Sequence, residues 1–162
     1  MNAFLTKPSF ALVRSFQEAL EEQGLHMSDE EISDYIAHSK DASLGLHLRS
    51  GEVARTEYWL QENGKYLGRI QLRETPSGRF PDIASHVYYE IRPSEQGKGY
   101  GTAILALALE KARDLKMSNL ILACDAANVA SRKIIEHNGG VLTKTVSVPD
   151  SPIPTLLYTI AL

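Results

Sequence analysis

The sequence predicts an α/β domain built as one mixed sheet flanked by helices, and three observations carry that prediction. Helical spacing near the N-terminus gives way to residues that alternate apolar and polar. A strand, a glycine-rich turn, a helix and a second strand then follow in direct succession. Two strand-like segments separated by a proline-punctuated loop close the chain. The resulting order, ααββ then βαβα then ββ, fits a single core at 162 residues.

From Ser9 to Leu25, Phe10, Val13, Phe16 and Leu20 recur at helical spacing opposite Glu18, Glu21 and Glu22, so an amphipathic helix ends near Gly24. Ser28 followed by Glu31 is a capping-box pair that opens a second helix through His38. Arg55 to Glu74 changes to a period of two. EYWLQ and KYLGRIQLR flank Asn63-Gly64, a dipeptide that accepts the positive φ angles of a two-residue hairpin turn. Thr75 to Ile83, with Pro76, Gly78 and Pro81, has the composition of a loop, and His86 to Ile91 reads as the next strand.

Gly99 to Lys116 carries a wide apolar stripe of Ile104, Leu105, Ala108, Leu109, Ala112 and Leu115, which is a helix packed on a sheet. Leu120 to Cys124 is an apolar run of strand length, giving a parallel pair with a helical crossover. Asn128 to Asn138 is a short helix stopped by Gly139-Gly140. Val141 to Val148 and Leu156 to Leu162 flank the loop containing Pro149, Pro152 and Pro154. The chain is expected to form one domain over 1–162, with N-terminal helices at about 9–38 and a ligand-binding core at about 86–138.

Composition narrows the function classes. Hydrophobic residues at 43% and charged residues at 23% are the balance of a soluble globular protein. A net charge of -3 gives no general attraction to phosphate polymers, so nucleic acid is not an expected partner. Cys124, the single cysteine, excludes an intramolecular disulfide and fits a reducing cytoplasm. Lys7, Pro8 and Arg14 interrupt the N-terminal apolar run, which matches neither a signal peptide nor a membrane span. No membrane partner and no metal are expected.

The motif that carries chemistry is QxxGxG, formed by Gln96, Gly99 and Gly101 between a strand and a helix, with Gly97 and Lys98 inside it. A diphosphate needs several backbone N–H groups aimed at one point, a helix N-terminus behind them and no Cβ atoms in the way. Glycines at a strand-to-helix turn supply all three. The pattern is neither GxxxxGK[ST] nor GxGxxG, so the ATP and dinucleotide fingerprints do not match.

QGKGYGTA, preceded by EIRP, resembles the acetyl-CoA loop of the GCN5-related N-acetyltransferase (GNAT) superfamily. CDAANVASRKIIEHNGG is similar to that superfamily's second cofactor segment. The resemblance is close from Thr56 onward and looser over the N-terminal helices, and it is nearest to bacterial acetyltransferases whose substrates are not generally known. It implies an acyl-CoA N-acyltransferase fold with a splayed central sheet. It further implies that backbone groups of Ile91, Arg92 and Pro93 meet the pantetheine arm of acetyl-CoA. The amides of Gln96, Gly97, Lys98, Gly99, Tyr100, Gly101 and Thr102 would hold the pyrophosphate, with the Lys98 side chain as the leading cationic partner. Asn128 and Ser131 would bind the CoA arm, although asparagine at that position also suits a plain helix N-cap.

The activity implied is transfer of an acetyl group from acetyl-CoA to a primary amine of a small molecule or protein, by direct attack in a ternary complex. An ammonium must first lose a proton. In a regular strand His86, Tyr88 and Glu90 share one face, opposite Val87, Tyr89 and Ile91, so His86, Glu90 and Tyr88 are the catalytic candidates. An oxyanion donor would lie near the N–H of Tyr89 or Ile91. The superfamily's tyrosine acid corresponds to Ile135, leaving Tyr88, Tyr89 or Tyr100 as substitutes. Two other readings use the same loop: an acyl-CoA-binding sensor without turnover, and a nucleotide-phosphate binder. The oligomeric state expected is a monomer or homodimer.

Overall fold

In the computed structural model, which describes residues 2–149 and 151–162, seven strands among the described residues build two antiparallel sheets set edge to edge. Strands β1 (Phe4–Thr6), β2 (Thr56–Glu62), β3 (Lys65–Ser77) and β4 (Ser85–Ile91) pair in that order. The second sheet has the order β5 (Asn119–Asp125), β7 (Thr155–Ala161), β6 (Val141–Val146). Helices α1 (Val13–Glu21) and α2 (Asp29–Ser43) precede β2, while α3 (Tyr100–Asp114) connects β4 to β5 and α4 (Val129–His137) follows β5. None of the described helices is long and apolar enough to cross a membrane.

The α3 stripe buries Ile104, Leu105, Ala108, Leu109 and Ala112 in the main core, against Ile70, Leu72, Leu120, Leu122, Ile135 and Tyr158. A second cluster seats α1 and α2 on β2 and β3. Phe16 stacks on Trp59 with centroids 4.6 Å apart, and Tyr66 meets both rings edge-on. The Ser28–Glu31 capping box is formed in both directions. The hairpin turns at Asn63 and Gly64, both at positive φ (52° and 74°), as a type I′ turn requires.

Several boundaries differ from the sequence expectation. The first helix is preceded by a 3₁₀ turn over Phe10–Leu12, which turns Phe10 outward at 64% exposure and buries Leu12 in its place. The second runs on past His38 to Ser43 because Ser39 and Ala42 still pack inward. Thr75, Pro76 and Ser77, read as loop, extend β3 through the stretch where the β3–β4 register breaks. The three-residue β1 is too short to show periodicity and has no counterpart in the sequence expectation.

The splay of the sheet decides where a ligand fits. Arg92 N–H donates to Leu67 O at 2.9 Å, so alternation turns the N–H and C=O of Glu90 and Tyr88 toward β3 and those of Ile91, Tyr89 and Val87 toward β5. Among the described residues no ladder joins β4 to β5, so the pair expected there is splayed. At one end side chains fill the gap. Ser85 Oγ lies 2.8 Å from Val87 O and 3.2 Å from Ile121 O, while His86 Nδ1 accepts from Ile121 N–H at 2.8 Å. Toward Tyr89 and Ile91, among the described residues, no hydrogen bond reaches β5, and Gln96 Nε2 meets only the Ile91 carbonyl.

Candidate active site

The open end of the gap is a cleft of about 560 Å³, lined by β4 from Val87 to Ile91, by Pro93, Gln96, Gly97 and Gly101, by Ala123 and Cys124 of β5, and by Asn128, Ala130, Ser131 and Ile134. Gln23, just beyond α1, closes one side. Sequence reasoning did not find Gln23, Ala123, Ala130 or Ile134, because apolar or unremarkable residues leave no local signal of a cleft.

At Gly97 and Gly101 the cleft meets the start of α3. Gly99 is the N-cap at φ 90° and offers no side chain, so the amides of Tyr100, Gly101 and Thr102 precede the first intrahelical bond, Ala103 N–H to Gly99 O. Gly97, at φ 75°, has open space where a Cβ would stand. A Cβ on Gly101 would come 2.5 Å from Ile134 Cδ1, so this glycine lets α4 approach α3. Gln96 lines the cleft and donates from Nε2 to Ile91 O at 3.0 Å, which ties the loop to the strand end.

The side chains flanking this loop mostly point elsewhere. Lys98 Nζ is 3.0 Å from Glu95 Oε2, and Lys65 holds the other oxygen, so Lys98 is engaged in a salt bridge rather than free beside the cleft. Those two lysines, Lys65 foremost, hold the Glu95 carboxyl below its usual range. Arg92 turns its guanidinium back to α1, with Nε 2.6 Å from Glu22 Oε1 and Nη1 3.2 Å from Ser15 Oγ; it is a buried tie between α1 and β4. Tyr100 donates to Glu62 Oε2 at 2.7 Å, outside the cleft. The Thr102 carbonyl accepts from Asn138 Nδ2 at 3.3 Å.

Asn128 caps α4, its Oδ1 accepting from Ser131 N–H at 3.0 Å, which leaves Nδ2 as the donor for a ligand. Ser131 Oγ is 2.8 Å from the Tyr89 hydroxyl, and both residues line the cleft. Burial pushes the Tyr89 phenol above its ordinary value, so it holds its proton. Burial likewise raises the Cys124 thiol, against nucleophilic use. Ile135, at 1% exposure, belongs to the core and not to the cleft.

The three catalytic candidates separate. His86 is 7% exposed, and burial lowers its pKa while the bond to Ile121 opposes that shift. With Nδ1 accepting from Ile121 N–H, the neutral ring carries its proton on Nε2 and has no free lone pair for a substrate. His86, expected as a base, spans the closed end of the gap and does not line the cleft. Glu90 and Tyr88 both line it, and Tyr88 donates to Glu90 Oε2 at 2.7 Å.

Comparisons with known proteins agree with this fold. The sequence profile described as "Acetyltransferase (GNAT) domain" matches residues 9–141. No curated protein sequence gives a significant match. An acetyltransferase from Salmonella typhimurium that modifies the N-terminal serine of a 50S ribosomal subunit protein superposes with a TM-score of 0.68 at 14% identity, over 98% of this chain and 94% of its own. A candidate acetyltransferase from the same organism, solved with its cofactor acetyl-CoA, gives 0.66 at 14% identity, over 99% and 92%. A candidate GNAT-family acetyltransferase from Bordetella pertussis gives 0.69 at 15%, over 99% and 97%. At these identities the structural likeness is one of fold.

Proposed function

Because the chain belongs to the GNAT acetyltransferase family, and is on that ground an acyltransferase, we propose that it transfers an acetyl group from acetyl-CoA to a primary amine by direct attack. The observation that carries this reading is the gap between β4 and β5, closed by Ser85 and His86 at one end and open at the other beside an uncapped helix N-terminus. The cleft fits the cosubstrate: amides without partners at the start of α3 suit a diphosphate, and the open strand edge suits the amide-bearing arm. When bound, acetyl-CoA supplies a thioester carbonyl open to attack and a thiolate leaving group.

In this proposal the amides from Gly97 to Thr102 hold the diphosphate, while Asn128 Nδ2 and Ser131 hold the arm. Glu90 accepts the proton that the ammonium must lose, directly or through water, and Tyr88 orients it through the 2.7 Å bond. The N–H of Tyr89 or that of Ile91, both turned into the gap, stabilises the oxyanion. The Tyr89 phenol, kept protonated and set against Ser131, returns a proton to the thiolate in the role that Ile135 cannot fill.

The test is thiol release from acetyl-CoA across a panel of polyamines, aminoglycosides and peptide N-termini, with calorimetry of acetyl-CoA binding alongside. Binding with thiol release is the expected result. Absence of binding would remove the cofactor assignment, and binding without release for every acceptor would favour a sensor.

A further inference from the structure

Behind Glu90 lies a buried polar chain that the transfer reaction, as proposed, does not yet use. Glu57 on β2 is 4% exposed and accepts from Trp59 Nε1 and Gln71 Nε2, each at 2.9 Å, and from the Tyr35 hydroxyl of α2. The Tyr35 oxygen in turn accepts from Arg69 Nη1 at 2.6 Å. Arg69 Nε lies 2.8 Å from Glu90 Oε1, at an angle that makes the contact an ion pair without an aligned hydrogen bond. The guanidinium sits 5.9 Å from the ring centres of both Tyr35 and Tyr88. Glu90 thus has one oxygen against Arg69 and the other against Tyr88.

Resting on the reading of Glu90 as the proton acceptor, we propose that Arg69, anchored through Tyr35 to the buried carboxylate of Glu57, is a positioning residue that fixes the orientation of Glu90 at the cleft and sets a cation beside it. The geometry supports this in two ways. Glu57 has three donors and never reaches the cleft, so it serves as an anchor rather than a base. Arg69 and Glu90 are directly paired across β3 and β4, so the backbone itself holds the contact.

The titratable and charged groups facing Glu90 are Arg69 and Tyr66 of β3 and Tyr88 of β4, and Arg69 in turn faces Tyr35 of α2 and Glu57 of β2. Burial holds the phenols of Tyr35 and Tyr66 far above their ordinary value, and Tyr88 is shifted the same way, so all three stay neutral. Arg69 stays charged, since nearby Tyr35, Glu90 and Glu57 outweigh its desolvation. Arg69 is thereby the one cation of the group.

The test uses Glu90 itself as the probe, which requires no acceptor. In protein labelled at glutamate carboxyls, the Glu90 carbon-13 resonance is assigned by its loss in Glu90→Gln and titrated in wild type, Arg69→Gln, Arg69→Lys and Tyr35→Phe. Removing the adjoining cation lets a carboxylate keep its proton to higher pH, so the midpoint rises in Arg69→Gln. It rises less in Tyr35→Phe, which loses only the anchor, and returns toward wild type in Arg69→Lys. With an acceptor in hand, the acidic limb of kcat/KM moves by the same amount while the acetyl-CoA Kd stays within twofold. An unmoved midpoint in folded Arg69→Gln and Tyr35→Phe would overturn the inference and leave the base reading standing. Full activity in Glu90→Gln would instead remove the base reading, whatever the midpoint does.

Discussion

The two ends of the gap between β4 and β5 are built from the same pair of strands and differ in what crosses between them. At Ser85 and His86, two polar side chains take the bonds that a ladder would have made with Ile121. Three residues further along, Tyr89 offers a ring whose hydroxyl bonds Ser131 on α4, and the strand edge stays open. The difference teaches that a splayed sheet is held apart by choice of side chain as much as by twist: polar groups that reach β5 satisfy the inner edge at one end, and a ring turned to α4 leaves it open at the other. Buried backbone groups need a partner of some kind, so where the chain supplies none a cofactor amide fits.

Substitutions at each end break this contrast to different extents. The largest effect is expected from Gly101→Val, where a side chain meets Ile134 Cδ1 at the mouth of the phosphate loop. Acetyl-CoA affinity measured by calorimetry should fall at least about a hundredfold, with about 1–3 kcal/mol lost in denaturant unfolding from overpacking between α3 and α4. Wild-type affinity in a folded variant would remove the open end as the cofactor site. Next in size, Glu90→Gln should lower kcat by about a hundredfold while leaving the acetyl-CoA Kd nearly unchanged, as loss of a general base does.

At the closed end the expected signature is reversed. His86→Leu leaves Ile121 N–H without its acceptor and should cost about 1–3 kcal/mol of stability while changing acetyl-CoA affinity less than about threefold. Its pH dependence sharpens the point. The folded-state pKa of His86 is lowered, so the unfolded chain binds the proton first as pH falls. Its contribution is therefore complete above the ordinary histidine value of 6.5 and declines below it, toward the lowered folded value. Urea midpoints at pH 8 and pH 5 should differ less in His86→Leu than in wild type; an equal difference would mean that other groups carry the acid sensitivity.

The smallest effect is expected from Lys98→Ala, which removes an exposed partner of Glu95 and leaves the loop amides in place. Michaelis constants for acetyl-CoA should rise by no more than about threefold, in line with the modest worth of exposed ion pairs. A tenfold rise would show that Lys98 leaves Glu95 to meet phosphate.

Much of the cofactor half is legible in the sequence. The glycine spacing, the α3 stripe, the Asn63-Gly64 turn and the Ser28–Glu31 box all act within one element, and each forms where its pattern lies. The boundaries at Phe10 and His38 depart from expectation where burial against another element overrides a local signal, and the one at Pro76 departs where Ser77 pairs with Ser85 of β4. Lys98 and Arg92 look available for phosphate because sequence shows charge and not its partner; Glu95 and Glu22 supply those partners through the fold. The chain from Glu57 through Tyr35 and Arg69 joins β2, α2, β3 and β4 and has no sequence spacing to betray it.

By itself, the sequence determined the glycine turn into α3, because that conformation depends on residues adjacent along the chain. Strand alternation also put His86, Tyr88 and Glu90 on one face. Only the tertiary structure decided between them: β5 brings Ile121 against His86 and withdraws it into the fold, while β3 brings Arg69 against Glu90 and leaves it at the cleft. Residues two apart on a strand are equivalent by period and differ in environment, and environment is set by what packs across from them.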